Sequence, residues 1–355
     1  MEKHLIKSID PLADPRWDDF IYKHPEGQIF HHSMWTRVLR ERYGNVYRYY
    51  ILENDIGEIR GAIPFFNLRG PVFGNQFICL PCADSCVPLG YSRRDCDDLL
   101  NGVIREVSQN KRFSIQIRGW NELGVPTQGI IPRRNYYELT QVVDLQQDLA
   151  TLKQHMTRNG RYNLRVAERQ SFTVKLAQEE KDLKVFYKML LDTLKKRDVL
   201  PPSYSFFQSI FKHIIMPGYG SILFSELNGK IVAANLYLNF KETALCKYSA
   251  QIDNCSEHRS NYFLHWKAIE LFHNKSIRFY DFGGTDPNLE GLLFFKRNWG
   301  GKETRLSFYI YPNETDMRLG LVIKPMHFAY KALENVLPSF ARETLSKVMN
   351  KFSVE

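Results

Sequence analysis

The 355-residue sequence lacks a hydrophobic run long enough to cross a membrane, which takes about 20 consecutive apolar residues. Residues 1–20 are polar, contain Pro11 and Pro15, and lack the apolar core of a secretory signal. We therefore predict a cytoplasmic protein, with the inner face of the membrane as the alternative location. The sequence also lacks a P-loop, a zinc-protease helix, a G-x-S-x-G elbow and a G-x-G-x-x-G loop. These absences argue against the common nucleotide-binding and hydrolase classes.

Cysteine is scarce, and only three of the six cysteines lie close together, at Cys79, Cys82 and Cys86. Three such thiols bind zinc or an iron–sulfur cluster only with a fourth ligand, for which Cys96 or His31 are the candidates. However, Cys79 ends an apolar stretch and Cys82 follows a proline. We interpret them as buried, reduced thiols and predict no metal site.

Composition and charge indicate a folded protein with an anionic partner. Hydrophobic residues make up 44% of the chain and charged residues 25%, and the length suits two domains. The net charge of +9 favours a nucleotide, a phosphorylated lipid, an anionic polymer or tRNA as partner. The alternative is that the surplus of Lys and Arg serves only solubility. We predict no DNA partner.

The pattern of strands and turns repeats after about 170 residues. Each copy reads as a hairpin, a helix and a further strand, and Asn228-Gly229 is a strong hairpin signal. The first copy comprises strands at 46–53 and 58–68, a helix at 92–111 and strands at 113–117 and 136–145. The second comprises strands at 222–227, 230–240 and 243–250, a helix at 261–274 and a strand at 277–282. We predict an α+β fold of two tandem domains, 1–145 and 146–312.

Residues 313–355 lie outside the repeat and read as a helical tail with one apolar face and nearly balanced charges. A cationic membrane anchor would be more basic. We expect this tail to dock against the protein, with peripheral membrane contact as the alternative.

The stretch from Ile277 to Gly284 combines the features of a ligand site. A short apolar strand ends at Asp281-Phe282 and is followed by Gly283-Gly284, where backbone N–H groups can approach a ligand with no Cβ in the way. A cation, Lys296, follows on a short amphipathic segment. The alternative is a strand, a tight turn and a surface helix.

The runs YDFGGTDP (280–287) and GLLFFKRNWGG (291–301) carry a family resemblance. Further matches occur in order along the chain, at 30–35, 80–84, 161–165 and 261–266. The sequence resembles the FemAB-like branch of the GNAT acyltransferase superfamily from about residue 25 to 312. That branch includes enzymes that add amino acids to peptidoglycan precursors, and relatives found with exopolysaccharide systems. The resemblance implies two GNAT-like domains and acyl transfer.

Acyl transfer requires an amine that loses a proton and a carbonyl that carries negative charge in the transition state. Lys296 is the candidate for holding that oxyanion or the departing group, assisted by the N–H groups of Gly283 and Gly284. Asp281 either orients the amine or hydrogen-bonds the turn. Substrate contacts suggested by the resemblance or by position are Trp35, Arg37, Asp84, Arg197, Tyr248 and Asn261. For Tyr248 and Asn261, a packed aromatic ring and a helix N-terminal residue are the alternative roles.

A helix predicted at 152–170 carries Arg158, Arg161, Arg165 and Arg169 within about 80° of arc. Like charges at this spacing repel each other, so such a stripe suits phosphates or an acidic surface. The alternative is a solvated face of a basic protein.

We predict an acyltransferase that carries an aminoacyl or acyl group to an amino group of a cell-envelope or polysaccharide precursor. The acceptor is an anionic small molecule or is linked to a lipid. No cofactor is expected, and the co-substrate is aminoacyl-tRNA or acyl-CoA. The R/Q-x-x-G-x-G/A loop of ordinary GNAT enzymes is absent, as it is from FemAB-like enzymes. The alternatives are acyl-CoA-dependent acylation of an amino sugar and a non-catalytic envelope-assembly protein.

Overall fold

The computed structural model describes residues 5–44, 47–70, 74–78, 80, 82–109, 113–119, 131–197, 199, 201–252 and 258–311. These residues form two compact units. The first contains the chain up to Tyr137 and from Leu306 onward, and the second is Glu138–Arg305. The predicted domain limits at residues 145 and 312 stay a prediction, and the predicted tail at 313–355 lies outside the described residues.

The first unit is a sheet with helices. Its elements are β1 (Leu5–Ile9), α1 (Pro15–Lys23), α2 (Ser33–Tyr43), β2 (Tyr47–Glu53), β3 (Ile59–Gly70), β4 (Gly74–Ile78), β5 (Leu89–Gly90), α3 (Arg93–Val107) and β6 (Phe113–Gly119). The strand β7 (Ile131–Asp144) runs from the first unit into the second.

The second unit continues with α4 (Leu149–His155), α5 (Arg158–Glu168), β8 (Phe172–Leu176), α6 (Glu180–Lys196), α7 (Tyr204–Ile210), β9 (Gly220–Leu227), β10 (Lys230–Phe240), β11 (Thr243–Gln251), α8 (Ser260–Asn274), β12 (Phe279–Asp281) and α9 (Glu290–Arg297). A π-helical turn, Phe211–Ile215, follows α7. The last strand, β13 (Lys302–Tyr311), begins in the second unit and ends in the first.

In the first unit the strand order is β1-β2-β3-β4-β6-β13, and only β4 and β6 run parallel. The predicted turn at Asn54 closes the β2–β3 hairpin through a 3.0 Å bond from the Gly57 N–H to the Asn54 carbonyl. Ser92 caps α3 by accepting from the Asp95 N–H. The buried face of α3 covers the sheet through Leu99, Leu100 and Val103.

In the second unit the strand order is β7-β12-β11-β10-β9-β8, and only β11 and β12 run parallel. Helix α8 connects this parallel pair and packs on the sheet. The Asn228-Gly229 turn joins β9 to β10 with positive φ at both residues, as a two-residue hairpin requires. Each unit therefore has antiparallel strands followed by a parallel pair with a helix between, which confirms the predicted repeat.

The basic helix predicted at 152–170 is two separate helices in the structure, α4 and α5. Met156 is extended, with ψ of 148°, and separates α4 from α5. Asp148 caps α4, and the Thr157 side chain caps α5 by accepting from the Gly160 N–H at 3.0 Å. A Thr at an N-cap satisfies a helix donor that would otherwise lack a partner. This cap starts a new helix within a stretch that the periodicity predicted as continuous.

Candidate active site

The two parallel strands of the second unit separate at their carboxyl ends. Only residues 243–245 of β11 pair with β12, whereas β11 continues beside β10 as far as Gln251. Beyond β12 the chain follows β7 instead, since the Phe282 N–H donates to the Gln141 carbonyl at 3.0 Å. Helix α8 begins at this end, at Ser260. A crevice at the carboxyl ends of parallel strands is a common place for a ligand in α/β proteins.

A β-bulge lies on the β11 side of this crevice. Leu236 of β10 faces Tyr248, but the next residue, Tyr237, faces Cys246, so Lys247 is an extra residue on β11. Bulges bend a strand and often occur next to active sites.

The loop after β12 is held by a carboxylate. Asp281 Oδ1 accepts from the Gly283 N–H at 2.8 Å and from the Thr140 hydroxyl. Gly283 has φ of 73°, a conformation that favours glycine, and a Cβ on Gly284 would displace the end of the Glu138 side chain, 1.9 Å away. The expectation of a free N–H at Gly283 is wrong, because Asp281 already occupies that donor.

Lys296 reaches the same loop from α9. Its ammonium donates to the Gly283 carbonyl at 2.7 Å, and the residue is only 7% exposed. Helix α9 is amphipathic, with Leu293 and Lys296 on its buried face and Phe294 60% exposed. A buried cation needs hydrogen-bond acceptors to offset its lost hydration. The structure thus brings Lys296, Asp281 and Gly283 together.

His265 packs behind this loop, and sequence reasoning missed it. Its ring lies 5.0 Å from Phe282 and 5.7 Å from Trp299, centroid to centroid. Burial and, to a smaller degree, the nearby Lys296 ammonium lower the pKa of His265 to about 3, so its ring is neutral at physiological pH. Two signals were present in the sequence: His265 falls in the run 261–266 that matches the FemAB-like pattern, and it lies on an apolar helix, which indicates burial.

A chain of hydrogen bonds continues from His265 through the core. His265 Nδ1 lies 2.6 Å from the Tyr280 hydroxyl, which donates to the Tyr237 hydroxyl at 3.1 Å. Asn235 Nδ2 donates to Tyr237 at 2.9 Å and Ser249 Oγ donates to Asn235 Oδ1 at 2.6 Å. This series of hydrogen bonds therefore links the loop side of β12 to the partly exposed end of β11.

Helix α5 is fixed to the segment after α9. The Thr157 hydroxyl donates to Asn298 Oδ1 at 2.5 Å, and the Thr157 N–H donates to the Asn298 carbonyl at 3.0 Å. Asn298 Nδ2 donates to the Tyr262 hydroxyl at 2.9 Å, and the Tyr262 ring stacks on Trp299 at 5.6 Å. Asn298 and Trp299 of the NWGG motif therefore have a structural role.

The predicted anion-binding arginines divide into two kinds. Arg161 Nη1 donates to the Gln154 carbonyl at 2.8 Å and to the Met156 carbonyl, so this side chain satisfies the carboxyl end of α4. Arg158 and Arg165 lie exposed on α5. The arginine stripe therefore lies on α5, and the Arg161 side chain is partly engaged in hydrogen bonds to the end of α4.

The other predicted contacts are spread over both units. In the second unit, Asn261 Nδ2 donates to Gln251 Oε1 at 2.8 Å, the Tyr248 ring packs edge-on against Phe207, and Arg197 is exposed at the end of α6. In the first unit, Trp35 is fully buried, Arg37 is exposed and Asp84 is partly buried. Their roles toward a substrate stay predictions.

Among the described residues, Cys82, Cys86, Cys96 and Cys246 form no disulfide, and no group of three His, Cys, Asp or Glu side chains is placed to hold a metal. Cys79 lies outside the described residues. Burial raises the pKa of the Cys96 thiol to about 12. No helix in the described part of the chain is long and apolar enough to span a membrane.

Comparison with known proteins shows a domain match in the second unit and a shared fold. Residues 154–297, all within the second unit, match the family model described as "Acetyltransferase (GNAT) domain". No curated protein matches the sequence significantly. A crystal structure of FemX has the same fold at 14% identity and a TM-score of 0.67, covering 85% of this chain and 96% of FemX.

Two further solved structures share the fold. The C-terminal domain of a putative lysylphosphatidylglycerol synthetase from Agrobacterium fabrum is 13% identical, with a TM-score of 0.55, covering 88% of this chain and 96% of that domain. A tandem GNAT protein from the clavulanic acid biosynthesis pathway is 10% identical, with a TM-score of 0.53, covering 87% of this chain and 98% of that protein. The predicted tandem GNAT-like fold is confirmed, and the second unit contains the match to the GNAT acetyltransferase domain. The likeness to the FemAB-like branch holds at the level of the fold.

Proposed function

We propose that the second unit transfers an aminoacyl or acyl group to an amino group of a cell-envelope or polysaccharide precursor. The observation that carries this proposal is the buried Lys296 ammonium, held at 2.7 Å from the Gly283 carbonyl beside the crevice between β11 and β12. The separation of β11 from β12 beyond Leu245 offers an extended donor a place to bind. The ammonium gives a fixed positive charge next to it.

The chemistry assigns Lys296 an electrostatic role. Attack of an amine on the donor carbonyl places negative charge on the carbonyl oxygen and then on the leaving oxygen or sulfur. A cation fixed in a buried site stabilises that charge more strongly than one in water. Asp281 holds the loop through the Gly283 N–H, and we assign it this positioning role rather than proton transfer.

The donor is best explained as an aminoacyl ester. Glycine-rich loops at a helix N-terminus let backbone N–H groups approach a pyrophosphate. No glycine lies between Gly229 and Gly283, so α8 begins without one. Arg259, which precedes α8, donates to Asn163 Oδ1 at 2.7 Å. These features weigh against acyl-CoA and leave aminoacyl-tRNA as the favoured co-substrate.

The charge of the chain and its likeness to known folds support the proposed acceptor. The net charge of +9 favours an anionic acceptor, either a small molecule or one linked to a lipid. The name of the Agrobacterium fabrum relative describes an aminoacylated phospholipid, which is a modified envelope component. We place the reaction in the cytoplasm or at the inner face of the membrane.

Transfer from labelled donors tests the proposal. The purified chain is incubated with aminoacyl-tRNA or acyl-CoA and with amino-bearing envelope precursors. We expect transfer from aminoacyl-tRNA, lost at least 100-fold in Lys296→Met with acceptor binding retained. Lys302→Met, a change at an exposed lysine, is the matched control. Transfer from acyl-CoA alone would instead favour acylation of an amino sugar, and acceptor binding without transfer would indicate a binding protein.

A further inference from the structure

The second unit contains a pocket of about 700 Å³ away from the acyl-transfer site. It lies between the carboxyl-terminal half of α8 and the strands β8 and β9, with the π-helical turn and Met216 at one end. None of Lys296, Asp281, Gly283 or Gly284 lines it. A pocket of this size accommodates a ligand of ordinary small-molecule dimensions.

The lining of this pocket includes a group of apolar side chains at the surface, together with polar and charged residues. Met216 is 63% exposed, Leu176 46% and Val174 41%, and Ile215 and Leu271 line the space beside them. Large apolar side chains that surround one concavity mark a binding site more often than scattered ones do. The walls therefore suit an aliphatic chain.

The floor of the pocket contains two buried polar atoms that have no hydrogen-bond partner within the described residues. These are Ser221 Oγ on β9 and Asn239 Oδ1 on β10, and both residues line the pocket. Ser221 is only 9% exposed. A buried polar group without a hydrogen-bond partner lowers stability. A ligand that pairs with both atoms would remove this cost.

The strand register gives the backbone spacing of the two residues that carry these groups. Ser221 faces Tyr237 directly, and Asn239 lies two residues farther along β10, so Ser221 and Asn239 are diagonal neighbours on one face of the sheet. Diagonal neighbours stand about 7–8 Å apart. An amide that is hydrogen-bonded at both its N–H and its C=O spans about the same distance.

We propose that this pocket binds an uncharged secondary amide within an aliphatic chain. The amide N–H donates to Asn239 Oδ1, the Ser221 hydroxyl donates to the amide carbonyl, and the alkyl groups contact Leu176, Ile215 and Met216. The Lys267 ammonium is paired with Glu270 at 2.8 Å, and Lys275 also lines the pocket, so a carboxylate probe tests the choice of an uncharged ligand. The site is separate from the proposed transfer reaction.

Binding of matched probes tests the proposal, measured by calorimetry on the full chain. N-butylhexanamide is compared with butyl hexanoate, an ester of similar shape that lacks the N–H donor. We expect saturable binding of the amide, about 10-fold tighter than the ester. Asn239→Leu should abolish this preference. Because it removes an unpaired buried acceptor, it should leave the melting temperature within a few degrees of the wild type.

One control variant, one further variant of the site and two further probes complete the experiment. Ser225→Ala removes another buried, unpaired hydroxyl on β9 that does not line the pocket, and should leave the preference intact. Ser221→Ala should weaken binding of both probes. Equal affinity for amide and ester, or a preference that survives Asn239→Leu, would overturn the proposal. So would tighter binding of decanoate, equal binding of the short peptide mimic N-acetylalanine methylamide, or the absence of saturable binding.

Discussion

The Tyr280 hydroxyl lies 2.6 Å from Nδ1 of His265 in the core of the second unit. Tyr280 immediately precedes Asp281 on β12, and His265 belongs to α8, so this bond ties the connecting helix to the strand that ends at the candidate loop. Both side chains are buried. Burial raises the pKa of Tyr280 well above its usual value and lowers the pKa of His265, so both groups are neutral over the physiological range.

The lowered pKa of His265 predicts that the protein loses stability in mild acid. In the unfolded chain His265 binds a proton near pH 6.5, whereas in the folded protein it does so only near pH 3. The unfolded state therefore binds more protons between these values, and the free energy of unfolding falls by up to about 1.4 kcal/mol per pH unit as the pH drops. We expect denaturant titrations from pH 7 to 5 to show this slope.

The variant His265→Asn retains a hydrogen-bonding side chain but cannot titrate in this range. Its free energy of unfolding will be lower overall, because the smaller side chain leaves a cavity. Between pH 7 and 5 its free energy of unfolding should nevertheless depend less on pH than that of the wild type, by the equivalent of about one bound proton. An unchanged slope would show that other groups, such as His32 with its lowered pKa, account for the acid sensitivity.

Asp281→Asn separates a positioning role from a catalytic one. Asparagine keeps the Oδ1 acceptor for the Gly283 N–H but cannot act as a base. We therefore expect Asp281→Asn to retain transfer activity within about 10-fold of the wild type, while Asp281→Ala loses the turn and more of the activity. Steady-state rates and thermal melts measure both. A loss of 1,000-fold or more in a normally folded Asp281→Asn protein would instead assign proton transfer to this carboxylate.

The sequence was sufficient for the elements whose cause is local. The Asn228-Gly229 turn and the helices predicted at 92–111 and 261–274 rest on turn chemistry and periodicity, and they are present as the β9–β10 hairpin, α3 and α8. The break at Met156 was missed, because helical periodicity continues across it and only the tertiary bonds of Thr157 to Asn298 make the cap decisive.

The candidate site could be located from sequence but not described. The pattern of a strand, two glycines and a lysine predicted that residues 281–296 form one site, and Asp281, Gly283 and Lys296 do lie close together. The pattern did not reveal that Asp281 takes the Gly283 N–H or that Arg161 binds backbone carbonyls of α4. His265 was missed because its partners, Tyr280 and Lys296, are distant in sequence. Contacts of this kind arise from the fold, and no local rule predicts them.

Gly160 is predicted to be essential for docking α5. A Cβ on this residue would lie 2.4 Å from the Asn298 carbonyl oxygen, a rigid backbone atom. Gly160→Ala should therefore destabilise the second unit by about 1–3 kcal/mol despite the better helix propensity of alanine. Gly291 in α9 is the matched control, since a Cβ there meets nothing within 4 Å. We expect Gly291→Ala to be neutral or stabilising by up to about 1 kcal/mol, and equal effects of the two changes in denaturant melts would contradict this account.

The exposed arginines of α5 are predicted to contact the phosphates of the tRNA donor. Each phosphate that a protein neutralises on a nucleic acid contributes about 0.7–0.9 to the slope of log affinity against log salt concentration. Removing two contacts with Arg158→Gln and Arg165→Gln together should lower that slope by about 1.5 in tRNA-binding titrations. Lys302→Gln, at an exposed lysine, should not change it if binding is confined to this face.

Arg161→Gln distinguishes binding from folding on the same helix. Its guanidinium donates to the Gln154 and Met156 carbonyls, so the substitution should lower the melting temperature, with a smaller effect on the salt slope than the double variant has. A salt slope that stays unchanged in Arg158→Gln with Arg165→Gln would show that the stripe is an ordinary solvated surface. In that case the +9 charge serves solubility, and the aminoacyl donor would have to bind elsewhere.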